Sequence, residues 1–256
     1  MFQLIAYIKF LLKSTNEHGV HSPFVFDLVT KCFYNKKKLP AYIKIKHYRE
    51  ELLSNNNTIE VTDFGAGSRV FKSNTRQIAA IAKTAGITPK RAQLLARITQ
   101  YFNCTSALEL GTSLGLATAA MAYGNPITSI TTLEGCPATA SIAKKMFYKH
   151  QLNTITAVTT NFSDYLQQLA TNYSLVYFDG NHQKEATLNY FETLVQYSSN
   201  DTVFIFDDIH WSKKMETAWE SIKKHPKVTI TIDTFYWGFV FFRSENKHKE
   251  HFSIRV

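Results

Sequence analysis

The run Ala107-Leu108-Glu109-Leu110-Gly111-Thr112-Ser113-Leu114-Gly115 places an apolar strand, a glycine turn and a helix start in direct succession. About one βα unit later, Ile130-Thr131-Thr132-Leu133-Glu134-Gly135 gives a second strand that ends on a carboxylate. Gly111 has no Cβ, so backbone there can approach a ligand closely. The helix that follows begins with N–H groups that have no partner inside the helix. Glu134 stands where the acid after the second strand of a nucleotide-binding sheet accepts hydrogen bonds from a ribose diol. The two features together predict an adenosine-containing cofactor.

A dinucleotide site needs G-x-G-x-x-G, because its second glycine admits the pyrophosphate. Counted from Gly111, that position is Ser113 and the third is Leu116; the glycines are spaced G-x-x-x-G instead. S-adenosylmethionine has no pyrophosphate, and the missing glycine matters less to it. The run resembles motif I of the class I S-adenosylmethionine-dependent methyltransferases, and Glu134 resembles their ribose-binding acid. The resemblance implies cofactor contacts at Gly111, Thr112, Ser113 and Gly115, with Glu109 either reaching the methionine ammonium through water or orienting the turn. It also implies adenine contacts at Asn161 and Phe162, after the third strand. A structural βαβ unit without a ligand is the alternative.

From Ala107 the pattern alternates strand and helix. Strands are expected at 106–110, 129–133, 155–159, 174–178 and 202–206, and helices near 115–123, 137–150, 163–170, 184–197 and 213–224. Such alternation implies a parallel sheet covered on both faces. The runs 228–234 and 238–242 are too close for a crossover helix, so they must pair as an antiparallel hairpin. The expected fold is α/β: a Rossmann-like seven-stranded mixed sheet, five parallel strands plus a C-terminal antiparallel hairpin, with an N-terminal helical extension. The seven-stranded methyltransferase sheet ends in this way. The expected organisation is a helical extension or lid over 1–100, a cofactor-binding domain over 101–243 and a peripheral polar tail over 244–256.

Ligands of open parallel sheets bind outside the carboxyl ends of the strands. Two more strands end there on acids, one running into Asp179-Gly180-Asn181-His182 and one into Asp207-Asp208-Ile209-His210-Trp211. Three nearby carboxylates raise one another's pKa unless a cation offsets them, and oxygen ligands suit Mg²⁺ or Ca²⁺. The arrangement resembles the catechol O-methyltransferase-like branch, which implies Asp179, Asp207 and Asp208 as ligands of a divalent cation. That branch's catalytic lysine has no clear counterpart; Lys184 and His182 are the candidates. Side chains of adjacent strand residues point to opposite faces, so Asp207 and Asp208 can share a cleft only if the strand has ended. The alternative keeps the acids as ligand contacts and helix caps, with Asp179 near the methionine end of the cofactor. For His182 the two readings are proton acceptor and orienting hydrogen bond; His210 is a further metal or catalytic candidate.

The apolar residues Leu4, Ile5, Ile8, Leu11 and Leu12 recur at helical spacing and predict an amphipathic helix packed on the domain, with a membrane-surface helix as the alternative. This stretch is too short to span a bilayer. Residues 1–100 carry 16 Lys/Arg against 6 Asp/Glu, whereas residues 101–256 carry 13 against 14, so the basic character lies in the N-terminal part. A solvated positive face or an anionic partner, RNA included, follows from that. Cys32, Cys104 and Cys136 lack the spacing of a disulfide framework or zinc site, which makes a reducing cytoplasm the default. Thr62-Asp63-Phe64-Gly65-Ala66-Gly67-Ser68 also looks like a nucleotide loop, but no useful strand precedes it; it reads as a turn, with a loop that contacts the ligand near the pocket as the alternative. The segment Glu17-His18-Gly19-Val20-His21-Ser22-Pro23-Phe24 resembles the opening of a poorly characterised group of small bacterial methyltransferases, and a lid role follows. The expected activity is O-methylation of a small-molecule hydroxyl, with S-adenosylmethionine and Mg²⁺ or another divalent cation. The alternatives are an RNA methyltransferase and a non-catalytic binding protein; a homodimer is compatible with either. No N-P-P-Y or D-P-P-Y run of the nucleic-acid amino-methyltransferases occurs.

Overall fold

Helix α1 (Phe2–Lys13) opens the computed structural model, which describes residues 2–65, 67 and 71–256. It buries Ala6 and Phe10. The apolar residues expected to pack inward, Leu4, Ile5, Ile8, Leu11 and Leu12, are instead exposed. That expectation is corrected by Phe10: its larger ring claims the inner face, packing against Phe235 at 5.7 Å. Helix α2 (Pro23–Leu28) follows, with Pro23 in its first turn, where a missing N–H costs nothing. It runs into one π-helical turn over Val29–Phe33.

The chain forms two compact units, 36–165 and 1–35 with 166–256. In the first, helix α3 (Ala41–Leu53) precedes a short antiparallel ribbon of β1 (Thr58–Glu60) and β2 (Thr75–Gln77). These three-residue strands interrupt an extension expected to be helical; they are too short to leave a periodic signal. Helix α4 (Ile78–Thr84) and helix α5 (Pro89–Tyr101) follow. The Thr88 side chain accepts the Arg91 N–H at 3.4 Å and so caps α5.

Strand β3 (Ser106–Leu110), helix α6 (Leu116–Gly124), strand β4 (Ser129–Glu134), helix α7 (Pro137–Lys149), strand β5 (Ile155–Thr159) and helix α8 (Phe162–Gln167) then alternate. β3 pairs β4 and β4 pairs β5, all parallel. Helix α6 is alanine-rich, which lets α5 approach closely. A Cβ at Gly124 would stand 2.3 Å from the Ala96 carbonyl oxygen, so only glycine permits that approach.

The second unit continues with β6 (Leu175–Phe178), α9 (Lys184–Leu194), β7 (Val203–Asp207), α10 (Lys213–Lys224), β8 (Ile230–Asp233), β9 (Trp237–Phe241) and β10 (Glu250–Ser253). β6 pairs β7 parallel, and β9 lies antiparallel between β7 and β8. Parallel strands closed by an antiparallel hairpin make the Rossmann-like mixed sheet. The tail was expected to be peripheral; it adds β10, parallel to β8, and Ile254 is fully buried. Phe178, Phe191, Phe204 and Phe206 stack in the core of this unit, Phe178 on Phe206 at 4.1 Å. Each such ring stabilises the fold by about 1.5–3 kcal/mol through burial.

Candidate functional site

The turn after β3 carries three residues with left-handed φ: Gly111 at 109°, Ser113 at 47° and Gly115 at 77°. The Gly111 and Thr112 N–H groups both donate to the Leu133 carbonyl, at 2.9 and 3.1 Å. The Ser113 N–H donates to Glu134 Oε2 at 2.7 Å, and the Cys136 N–H to Glu134 Oε1 at 2.8 Å. The glycine turn and the acid thus lie side by side, as the sequence pattern requires. The N–H groups of residues 111–113 are all engaged within the protein, so these three offer none to a pyrophosphate. The turn contributes shape, with a carboxylate beside it. The Thr139 hydroxyl and the Gly135 N–H also favour the charged carboxylate. Burial raises the Glu134 pKa above the ordinary carboxylate value, against the lowering effect of the Cys136 and Ser113 hydrogen bonds.

Glu109 is fully buried at the heart of this unit. Its Oε2 accepts from the hydroxyls of Thr118 on α6 and Thr132 on β4, and Thr132 meets the Thr112 hydroxyl. Burial pushes the Glu109 carboxyl up to about 8, so it is largely protonated at neutral pH. These bonds tie β3, β4, α6 and the turn together. Its Oε1 has no partner among the described residues.

The loop after β1 reaches the two residues that follow the acid. The Thr62 N–H donates to Cys136 Sγ at 3.4 Å, and Phe64 lies against Gly135, where a Cβ would stand 2.8 Å from the ring. Asp63 Oδ1 accepts the Gly65 N–H at 3.0 Å, which makes the expected turn; Ala66 and Ser68 lie outside the described residues. Phe64 is an exposed aromatic beside the ribose-binding candidate. No spacing rule links residues 64 and 135, and the contact has no local sequence signal. Asn161 is exposed, and its Oδ1 caps α8 by accepting the Ser163 N–H at 2.8 Å. Phe162 is half-buried at the start of that helix.

In the other unit, β6 delivers Asp179, and His182 Nε2 stands 4.0 Å from Asp179 Oδ1. Asn181 has a φ of 53°, its Nδ2 donates to the Tyr190 hydroxyl at 3.2 Å, and its buried Oδ1 lacks a partner among the described residues. β7 ends on the buried Asp207, and Asp208 leaves the strand at a φ of 54°, which meets the geometric condition for the pair. Even so, no group of three or more His, Cys, Asp or Glu among the described residues is arranged to hold a metal ion. Both ring nitrogens of His210 are engaged within the protein. Its Nδ1 bonds Glu216 on α10 and its Nε2 bonds Asp233 at the end of β8, both at 2.9 Å, and its ring stacks on Phe235 at 5.2 Å.

Burial opposes the charged form of His210, but the hydrogen bonds and charges of Asp233 and Glu216 outweigh it and raise the pKa. The stabilisation is therefore fully present below the ordinary histidine value of 6.5 and is lost as pH rises through the raised one. Replacing His210 with Gln is expected to lower stability by about 1 kcal/mol at pH 5.5 and by much less at pH 9. Urea unfolding at the two pH values checks this; an equal loss at both contradicts it.

Residues 108–209 match the family model of a methyltransferase domain. No curated protein matches the chain in sequence. Among solved structures, the O-methyltransferase from Bacillus cereus in complex with S-adenosylhomocysteine is similar, at 19% identity and a TM-score of 0.54, covering 82% of this chain and 93% of that one. The methyltransferase PaMTH1 from Podospora anserina, bound to S-adenosylhomocysteine, has 12% identity and a TM-score of 0.62, covering 88% and 97%. The O-methyltransferase TomG from Streptomyces achromogenes, involved in tomaymycin synthesis and bound to S-adenosylmethionine, has 14% identity and a TM-score of 0.57, covering 84% and 95%. These likenesses speak for the fold, and the family model for the domain. Taken with the turn at Gly111 and the acid at Glu134, they mark residues 108–209 as a methyltransferase domain in this chain.

Proposed function

We propose that the protein transfers a methyl group from S-adenosylmethionine to a hydroxyl oxygen of a small-molecule acceptor. The observation that carries this reading is the Glu134 carboxylate, fixed by the Ser113 and Cys136 N–H groups beside a turn that offers no donors at 111–113. Such a site suits a ribose without a pyrophosphate. When bound, the cofactor supplies an electrophilic methyl group on a sulfonium. Glu134 accepts hydrogen bonds from the ribose hydroxyls. Gly111 and Gly115 keep side chains out of the turn, and Thr112 and Ser113 line it. Glu109 holds the turn against β4 and α6. Phe162 and Asn161 contact the purine, Asn161 through its amide N–H groups because its oxygen caps α8.

In the second unit, His182 takes the proton of the acceptor hydroxyl as the oxygen attacks, and Asp179 orients that imidazole and the acceptor. The dominant contribution is alignment of the attacking oxygen with the methyl carbon. Asp207 and Asp208 act as polar contacts at the strand end.

Titration calorimetry tests the cofactor. S-adenosylmethionine and S-adenosylhomocysteine are expected to bind with micromolar dissociation constants, and NAD⁺ to give no heat of binding. Binding of NAD⁺ with no response to S-adenosylmethionine would overturn the reading.

A further inference from the structure

We infer that helix α1 is a docking element for an anionic lipid surface. At 3.6 residues per turn, Tyr7, Leu11, Leu4, Ile8, Leu12 and Ile5 follow one another around the helix as an unbroken apolar arc of about 160°. All six are exposed: Leu12 at 83%, Leu4 at 64% and Ile8 at 50%. The opposite face, through Ala6 and Phe10, is the one that holds the helix to its own unit. A soluble protein rarely leaves so large an apolar face in water unless something covers it.

Charge selects the partner. Lys9 and Lys13 border the arc on the side of Ile5 and Leu12, and the sequence has no acid before Glu17. Two copies of α1 laid face to face would bring lysines together with no carboxylate on the helix to offset them. An anionic surface takes the leucines into its apolar layer and pairs the lysines with its headgroups. The other border is aromatic. Tyr7 meets Phe235 edge-on at 4.8 Å, and Phe235 meets the exposed Tyr236 at 5.1 Å. A tyrosine, apolar in body and polar at its tip, suits the boundary between lipid and water. The helix spans 12 residues, about 18 Å, so it lies on the bilayer and does not cross it.

Vesicle co-sedimentation of the full chain tests this, independently of cofactor binding. Vesicles of phosphatidylcholine with one-third phosphatidylglycerol are expected to bind the protein, and pure phosphatidylcholine to bind it at least tenfold more weakly. The double variant Ile8→Glu/Leu12→Glu should abolish binding while keeping the wild-type thermal midpoint, since both residues are exposed. The variant Lys9→Glu/Lys13→Glu should weaken binding to the anionic vesicles by about 30-fold or more. Equal binding to both vesicle types would overturn the inference. So would a failure to bind either, including the case in which sedimentation velocity shows a dimer that Ile8→Glu/Leu12→Glu dissociates; a second copy would then cover the face.

Discussion

Replacing Glu134 with Ala is expected to weaken S-adenosylmethionine binding by about 10²–10⁴-fold. The variant loses two hydrogen bonds from ribose hydroxyls to a charged acceptor, each worth about 1.5–3 kcal/mol. At about 1.4 kcal/mol per decade, that is the range given. The carboxylate also accepts the Ser113 and Cys136 N–H groups, so its removal leaves two backbone donors without their partner and loosens the turn. Gln at the same position keeps one acceptor oxygen and should fall between Ala and the wild type. Burial raises the Glu134 pKa, and hydroxyl donors favour its ionised form. Cofactor affinity should therefore decline as pH falls through that raised pKa, and in the Gln variant it should not. Calorimetry on the three proteins checks both parts.

Gly115→Ala is expected to destabilise the protein by about 2–5 kcal/mol and to abolish cofactor binding. Gly115 begins α6 with a φ of 77°, a conformation that costs an L-residue about 1–2 kcal/mol. Space is the larger obstacle. A Cβ at 115 would stand 2.4 Å from Phe147 Cε1 and 2.7 Å from the Tyr48 hydroxyl. Both rings are buried, and the Tyr48 hydroxyl donates to the Leu114 carbonyl at 2.9 Å. They cannot retreat without breaking that bond, so overpacking adds about 1–3 kcal/mol. Because Leu114 belongs to the turn, the displacement passes directly to Ser113 and its bond to Glu134. Urea unfolding and calorimetry measure the two effects. A variant with wild-type stability and affinity would contradict the packing described.

Local pattern made the meeting of the glycine turn and the acid legible. Gly111 and Glu134 each follow a strand, and parallel pairing of β3 with β4 brings the ends of adjacent strands together whatever the rest of the chain does. Ser113 shows the limit of motif matching. Where a dinucleotide site has glycine, this chain holds serine at a φ of 47°, and its N–H secures the acid. Phe64 and Gly135 are far apart in sequence, and no periodicity reports their contact. His210 looked like a metal or catalytic candidate because its neighbours in sequence are acids; its true partners, Glu216 and Asp233, lie on α10 and β8. Helix α1 was legible as a helix but its buried face was inverted. Both faces are apolar, and only tertiary packing against Phe235 decides which one turns inward. The tail strand β10 is short and polar, and it exists because β8 presents an edge for it.

The most direct measurement is a crystal structure of the protein with S-adenosylhomocysteine. The account predicts both ribose hydroxyls within hydrogen-bond distance of the Glu134 carboxylate, with the nucleoside seated against the turn at Gly111. Density for the ligand elsewhere, with Glu134 touching only its own backbone partners, would contradict it.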